Sequence, residues 1–206
     1  MNNEPIIEIR GLQKNFGSFT AVKDVSFTVN KGDVFGFLGP NGAGKSTTMR
    51  CMLSLIKPNA GQIHIFGKNL FEERNAILAK VGSIVEKPDF YKYLSALKNL
   101  EIFARISGAA VSQKTIYETL EFVGLSGREK DKVGGFSHGM RQRLGIAQTL
   151  LHQPELIILD EPTNHLDVSM IEWLEDYLSA QKLTLLLVTH DRYFLDAVCN
   201  EIVEID

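Results

Sequence analysis

The sequence predicts an α/β domain: a β-rich N-terminal part, a mostly parallel core sheet and a helical insert near residues 87–150. Three observations carry this. The near-continuous apolar runs VFGFL 34–38, LIILD 156–160 and LTLLLVT 183–189 read as strands buried on both faces. The first third alternates apolar and polar residues between glycine turns, as half-buried strands do. The middle carries apolar positions at helical spacing.

The elements follow in order along the chain. IIEIRGLQKNF and AVKDVSFTVNKG are expected to be strands of an antiparallel part, and VFGFL the first buried strand. STTMRCMLSLI 46–56 reads as a helix closed by the turn signal KPNAG, after which GQIHIFGKNL resumes strand character. Leu97, Leu100, Phe103 and Ala104 mark a helical face; so do Ile116, Leu120 and Val123, and again Met140, Leu144, Ala147 and Leu151. After LIILD, VSMIEWLEDYLSAQ is an amphipathic helix, LTLLLVT a buried strand and EIVEID a short last one.

Composition limits the possibilities. With 206 residues, 44% of them apolar, and a formal net charge of −3, the chain suits one globular domain, 1–206. That charge gives no overall nucleic-acid footprint. Cys51 and Cys199 have no metal-ligand spacing and fit a reducing compartment. MNNEPIIEIR lacks the basic and apolar regions of a signal peptide. No apolar run is long enough to cross a bilayer. A cytoplasmic location is therefore expected, with any membrane span supplied by another chain.

The chemistry is concentrated in two places. GPNGAGKST 39–47 fits G-x-x-x-x-G-K-[ST] and lies between a buried strand and a helix, the context this motif requires. Gly39, Pro40, Asn41, Gly42, Ala43 and Gly44 would turn the backbone so that its N–H groups face phosphate oxygens. The helix N-terminus adds partial positive charge there. Lys45 would reach the β- and γ-phosphates and Ser46 would ligate Mg²⁺, with Thr47 beside it. The second place is LIILDEPTNHLD, where a buried strand ends on two carboxylates. Such charges are costly unless something cationic or catalytic uses them. Asp160 can hold Mg²⁺ and Glu161 can orient or deprotonate an attacking water. The strand that ends on Asp160 is expected beside the phosphate loop.

This order of motifs resembles the nucleotide-binding domain of ATP-binding cassette (ABC) proteins, a P-loop NTPase fold, over nearly the whole chain. FSHGM 136–140 is similar to the family signature LSGGQ, matching at Ser137 and Gly139 and departing at Phe136, His138 and Met140. The resemblance implies that Ser137, His138, Gly139 and Met140 meet ATP bound to a second nucleotide-binding domain, in a homo- or heterodimer. It implies that Phe16 stacks on adenine, that His190 contacts the γ-phosphate and that Asp167 touches the dimer partner. Glu86 stands where most members carry glutamine, and is a further candidate metal ligand. ATP and Mg²⁺ are the implied cofactors and Mg-dependent ATP hydrolysis the implied reaction.

Two branches of the family are represented. Residues 1–153, through Glu86, KNLEIFARISG and FSHGM, resemble ATP-binding subunits of bacitracin and lantibiotic exporters, which power a separate membrane permease. Residues 160–206, through DEPTNHLD and VTHDRYFLDAVCNEIVEID, resemble the ABC-F branch of ribosome-associated ATPases. A mixed origin with a seam near 154–165 is the expectation, against simple divergence. The exporter subunit is the main functional expectation. The alternatives are an ABC-F-type factor, which alone would bring RNA contact, and a chimeric or truncated cassette without a transport partner.

Overall fold

In the computed structural model, residues 4–85, 89–108, 110–163, 168–180 and 184–205 are described. Two sheets form the frame. β1 (Pro5–Phe16) and β2 (Phe19–Asn30) make an antiparallel hairpin, and β4 (Ala60–Ile65) and β5 (Lys68–Asn69) extend it in the order β2-β1-β4-β5. The second sheet contains β3 (Val34–Leu38), β6 (Val81–Ile84), β7 (Leu156–Asp160), β8 (Thr184–Thr189) and β9 (Glu201–Glu204). Its order is β6-β7-β8-β3-β9 and every pair is parallel.

Alternation along the parallel strands divides the core in two. Phe35, Phe37, Ile158, Leu186 and Val188 face the antiparallel sheet, where they join Ile7, Ile9, Phe27 and Ile63. Ile157, Leu159, Leu185 and Leu187 face the helices. A strand with both faces covered is apolar at most positions, which is why these runs show no alternation in sequence, and the exceptions, Asp160, Thr184 and Thr189, sit at strand ends.

The first face also receives α1 (Lys45–Met52) through Met49 and Met52. α1 stops before the expected residue 56. Ser54 takes φ 53°, and the Leu55 N–H folds back onto Arg50 O at 2.8 Å, a helix-ending turn that spends the last carbonyls locally. The second face receives α3 (Ala96–Ile106), α4 (Gln113–Phe122) and α5 (His138–Leu150), through the three apolar stripes read from sequence. α6 (Val168–Ala180) and α7 (Arg192–Val198) complete this layer through Leu174, Phe194, Leu195 and Val198. Gly36 lets α7 approach: a Cβ there would lie 3.1 Å from Leu195 Cδ2 and from Cys199 Sγ. α2 (Arg74–Leu78) and α7 are too short for a periodicity window and were not expected. Asp191 before Phe194 and Leu195 was the available signal, since its Oδ1 caps α7 by accepting from Phe194 N at 3.1 Å.

The strand ending on Asp160 reaches the phosphate loop, where Asp160 meets the Ser46 side chain, but it does so without pairing with β3, because β8 sits between β7 and β3. Inserting β8 brings a third strand end to the site, Thr189, with His190 directly after it.

Candidate functional site

The site lies at the carboxyl ends of β3, β7 and β8. In the loop after β3, Gly42 and Gly44 take φ 94° and 87°. Gly44 has no room for a side chain: a Cβ would lie 2.3 Å from Ala21 O on β2. It caps α1 without a side-chain hydrogen bond, so the first N–H groups of that helix are left for an anion. Gly39 is equally confined, its Cβ position lying 2.6 Å from Ile205 O. Pro40, Asn41 and Gly42 form the exposed crown of the loop, and Lys45 is buried beneath it. The Lys45 ammonium donates to Gly39 O at 2.6 Å and Pro40 O at 3.0 Å, so the charge is held within the loop that is to receive phosphate. Ser46 and Thr47 follow on the first turn of α1.

Asp160, at the end of β7, is buried. Burial pushes its carboxyl above the usual range, Glu161 adds to this, and a Ser46 side-chain hydrogen bond with the charges of Lys45 and Arg50 pulls the other way. Its Oδ1 has no hydrogen-bond partner, one of two such buried side-chain atoms among the described residues. An orphaned carboxylate oxygen next to a hydroxyl is the donor set a Mg²⁺ ion uses when the rest of its shell is water and phosphate. Ser46 and Asp160 therefore fit the metal.

The raised carboxyl has a thermodynamic consequence. A group easier to protonate in the fold than in the unfolded chain stabilises the fold at low pH and loses that contribution as pH rises through the ordinary carboxylate range to its folded value. Near neutrality the free protein bears the full penalty. Asp160→Asn is therefore expected to raise the melting temperature of the nucleotide-free protein at pH 7 by a few degrees, with about 1 kcal/mol corresponding to about 2–4 °C. The gain should shrink on acidification, while the extra stabilisation that Mg²⁺ gives with nucleotide is lost. Melting scans across pH, with and without Mg-ATP, check both; an unchanged or lower melting temperature at pH 7 would contradict the burial penalty.

Glu161 follows at φ 47°, a left-handed backbone uncommon outside glycine. Its N–H donates to Val188 O at 2.6 Å. Its carboxylate accepts from Thr189 Oγ1 at 2.9 Å and lies 3.0 Å from His190 Nδ1. A carboxylate only accepts, so Nδ1 carries the proton when Glu161 is ionised. Thr189, fully buried, also accepts from Asp191 N at 3.1 Å and thus fixes both Glu161 and the start of α7. Its role was missed in sequence, although it stands next to His190.

The remaining candidates lie around this centre. Phe16 ends β1 opposite Phe19, is half exposed, and has Lys14 Nζ 5.1 Å from its ring centroid. Ser137 caps α5, its Oγ accepting from Met140 N at 3.2 Å, so the helix presents its N-terminus at Ser137, His138, Gly139 and Met140. Phe136 is buried as an anchor just before the cap. The structure thus joins the loop, Asp160, Glu161 and His190 into one cluster, and leaves Phe16 on the hairpin and Ser137 to Met140 on α5. Glu86 and Asp167 lie outside the described residues.

The ABC transporter family profile matches residues 22–164. The chain belongs to the ABC transporter family. Over 188 residues it is 40% identical to the lantibiotic transport ATP-binding protein SrtF of Streptococcus pyogenes, a match covering 90% of this chain and 80% of SrtF. It is 54% identical over 162 residues to the bacitracin transport ATP-binding protein BcrA of Bacillus licheniformis, covering 79% of this chain and 53% of BcrA. An uncharacterised ABC transporter ATP-binding protein of Bacillus subtilis, YdbJ, is 40% identical over 204 residues, 97% of this chain and 66% of that protein. The chain thus spans between half and two thirds of the length of several relatives.

Among solved structures, an ATP-binding subunit of an ABC transporter superposes with TM-score 0.85 at 28% identity, over 97% of this chain and 85% of that one. The ADP conformation of an ABC ATP-binding cassette agrees in fold, with TM-score 0.86 at 24% identity, over 98% of this chain and 87% of that one. The antiparallel sheet, parallel sheet and helical layer are therefore those of an ABC ATP-binding domain. The YdbJ match runs through the C-terminal quarter, so the comparisons lend no support to a mixed origin with an ABC-F tail.

Proposed function

We propose that this ABC domain is the ATP-hydrolysing subunit of an exporter, paired with a second nucleotide-binding domain and a separate membrane permease on the cytoplasmic face. One observation carries the catalytic part: the orphaned Asp160 Oδ1 and the Glu161 carboxylate at the end of β7, the latter bonded to Thr189 at the end of β8, share the site with the loop-held Lys45 ammonium after β3. The exporter part is supported by the bacitracin and lantibiotic transport relatives. Among the described residues no helix is long and apolar enough to cross a membrane.

In this reading the backbone N–H groups of residues 41–47 bind the phosphates, and Lys45 leaves its carbonyl partners for the γ-phosphate. Ser46 and Asp160 would hold Mg²⁺, which when bound would offset charge on the phosphate oxygens. Glu161 takes the proton of the attacking water. Thr189 fixes one carboxylate oxygen, and His190 is held through Nδ1, so that its Nε2 donates to a γ-phosphate oxygen only when both ring nitrogens carry protons. Ser137 to Met140 close over the nucleotide of the second domain, completing a site that neither chain makes alone. Phosphate release by the purified protein with Mg-ATP, alone and with its permease, tests the assignment. Absence of hydrolysis in both conditions would sink it.

Phe16 is proposed as the adenine platform. Base stacking on an aromatic ring contributes about 1–3 kcal/mol. Phe16→Ala should raise the KM for ATP about tenfold and leave kcat and the melting temperature nearly unchanged, since the ring is half exposed and supports little of the core. Steady-state kinetics and a melting scan check this; an unchanged KM would return Phe16 to the surface.

A further inference from the structure

Glu161 keeps its left-handed backbone only because its surroundings hold it there. Two hydrogen bonds do so. Its N–H donates to Val188 O, and the next carbonyl, Pro162 O, accepts from Gln142 Nε2 at 3.3 Å. Gln142 belongs to α5, the helix that Ser137 caps. Its two neighbours tie the helix elsewhere. Arg141 donates to Phe136 O, at the anchor before the cap. Arg143 donates to Val123 O at 3.1 Å, after α4, and its guanidinium lies 4.3 Å over the Trp173 ring of α6. Three successive side chains thus fasten α5 to three parts of the fold, and that of Gln142 ends on the segment of the reaction acid.

We propose that Gln142 is a positioning residue that couples occupancy of the α5 N-terminus to the placement of the Glu161 carboxylate. This rests on the proposed function. A helix is stiff along its axis, so an anion settling on its N-terminal N–H groups shifts α5 as a unit. Gln142 transmits that shift to Pro162 O, and the strained link at Glu161 converts it into a rotation of the carboxylate against Thr189 and His190. In a head-to-tail pair the anion on α5 belongs to ATP held by the other subunit. Each acid is then set by the partner's nucleotide, and hydrolysis in one site depends on filling of the other.

The test is steady-state ATP hydrolysis by the wild type, Lys45→Ala, Gln142→Leu and Gln142→Glu, with both Gln142 changes repeated on Glu161→Gln. The wild type must hydrolyse ATP and Lys45→Ala must not; failure there overturns the proposed function rather than the role of Gln142. Both Gln142 variants are expected to lose about tenfold in kcat, with KM for ATP within about twofold and an unchanged melting temperature. On the Glu161→Gln background they should cost nothing further, because residues that act through one another are not additive. Should Gln142→Leu fail to fold, Gln142→Glu, equal in size but without the donor, carries the test. An unchanged kcat, a change confined to KM, or a loss that multiplies in full on Glu161→Gln overturns the proposal.

Discussion

Lys45→Ala is expected to abolish ATP hydrolysis, with kcat/KM falling by at least about 10³-fold, roughly 4 kcal/mol of transition-state stabilisation. The ammonium is buried and already within the loop, bonded to the Gly39 and Pro40 carbonyls. Once it has moved from those carbonyls to the phosphates, a charge in a site with little water acts more strongly on phosphate oxygens than one in solution. Alanine removes that charge and leaves two carbonyls facing the phosphate, which adds repulsion. Calorimetric titration with ATP, phosphate release and a melting scan separate loss of affinity from loss of fold. A folded Lys45→Ala protein within tenfold of wild-type turnover would remove Lys45 from the reaction.

Glu161→Gln should lose about 10²–10⁴-fold in kcat, the usual contribution of a positioned general base, and yet keep its affinity for ATP. The amide has the shape of the carboxylate. Its oxygen can still accept from Thr189 Oγ1, and its NH₂ can donate to His190 Nδ1 once the imidazole takes the other tautomer. The surrounding bonds survive while the proton acceptor is gone. ATP then stays bound and the closed dimer accumulates, which gel filtration with Mg-ATP would show as a shift to twice the monomer mass. A variant that still turns over at near wild-type rate, or that fails to dimerise with ATP, would place water activation elsewhere.

The parts of this architecture visible in sequence are the local ones. GPNGAGKST is contiguous, and its strand and helix flank it directly, so loop, helix and Lys45 could be placed before any coordinates. The buried strands were visible because two covered faces leave no apolar–polar alternation along VFGFL, LIIL and LLLV. The helical stripes ending at Ala104, Val123 and Leu151 were visible because each extends over two turns or more. What was hidden is set by long-range order. Nothing in LIILD says that β8 lies between it and β3. That insertion is why Thr189 and His190 reach the Glu161 carboxylate. The left-handed backbone at Glu161 was equally hidden, because propensity would place glycine or asparagine there. The Gln142 bond to Pro162 O joins two segments with no shared motif.

The neighbours of β3 also set a schedule for biogenesis. β3 ends at Leu38 and delivers the phosphate loop, but it is flanked by β8, residues 184–189, and by β9, residues 201–204. A ribosome releases the chain from its N-terminus, so the loop leaves the exit tunnel long before either flanking strand exists. The β1–β2 hairpin, whose partners are close in sequence, can form early. β3 must wait, apolar on both sides, until residues 184–204 have been made. ATP can therefore act as a folding ligand only after residues 184–204 have emerged, and a nascent chain stalled before residue 184 exposes an unpaired, aggregation-prone strand in place of a nucleotide site.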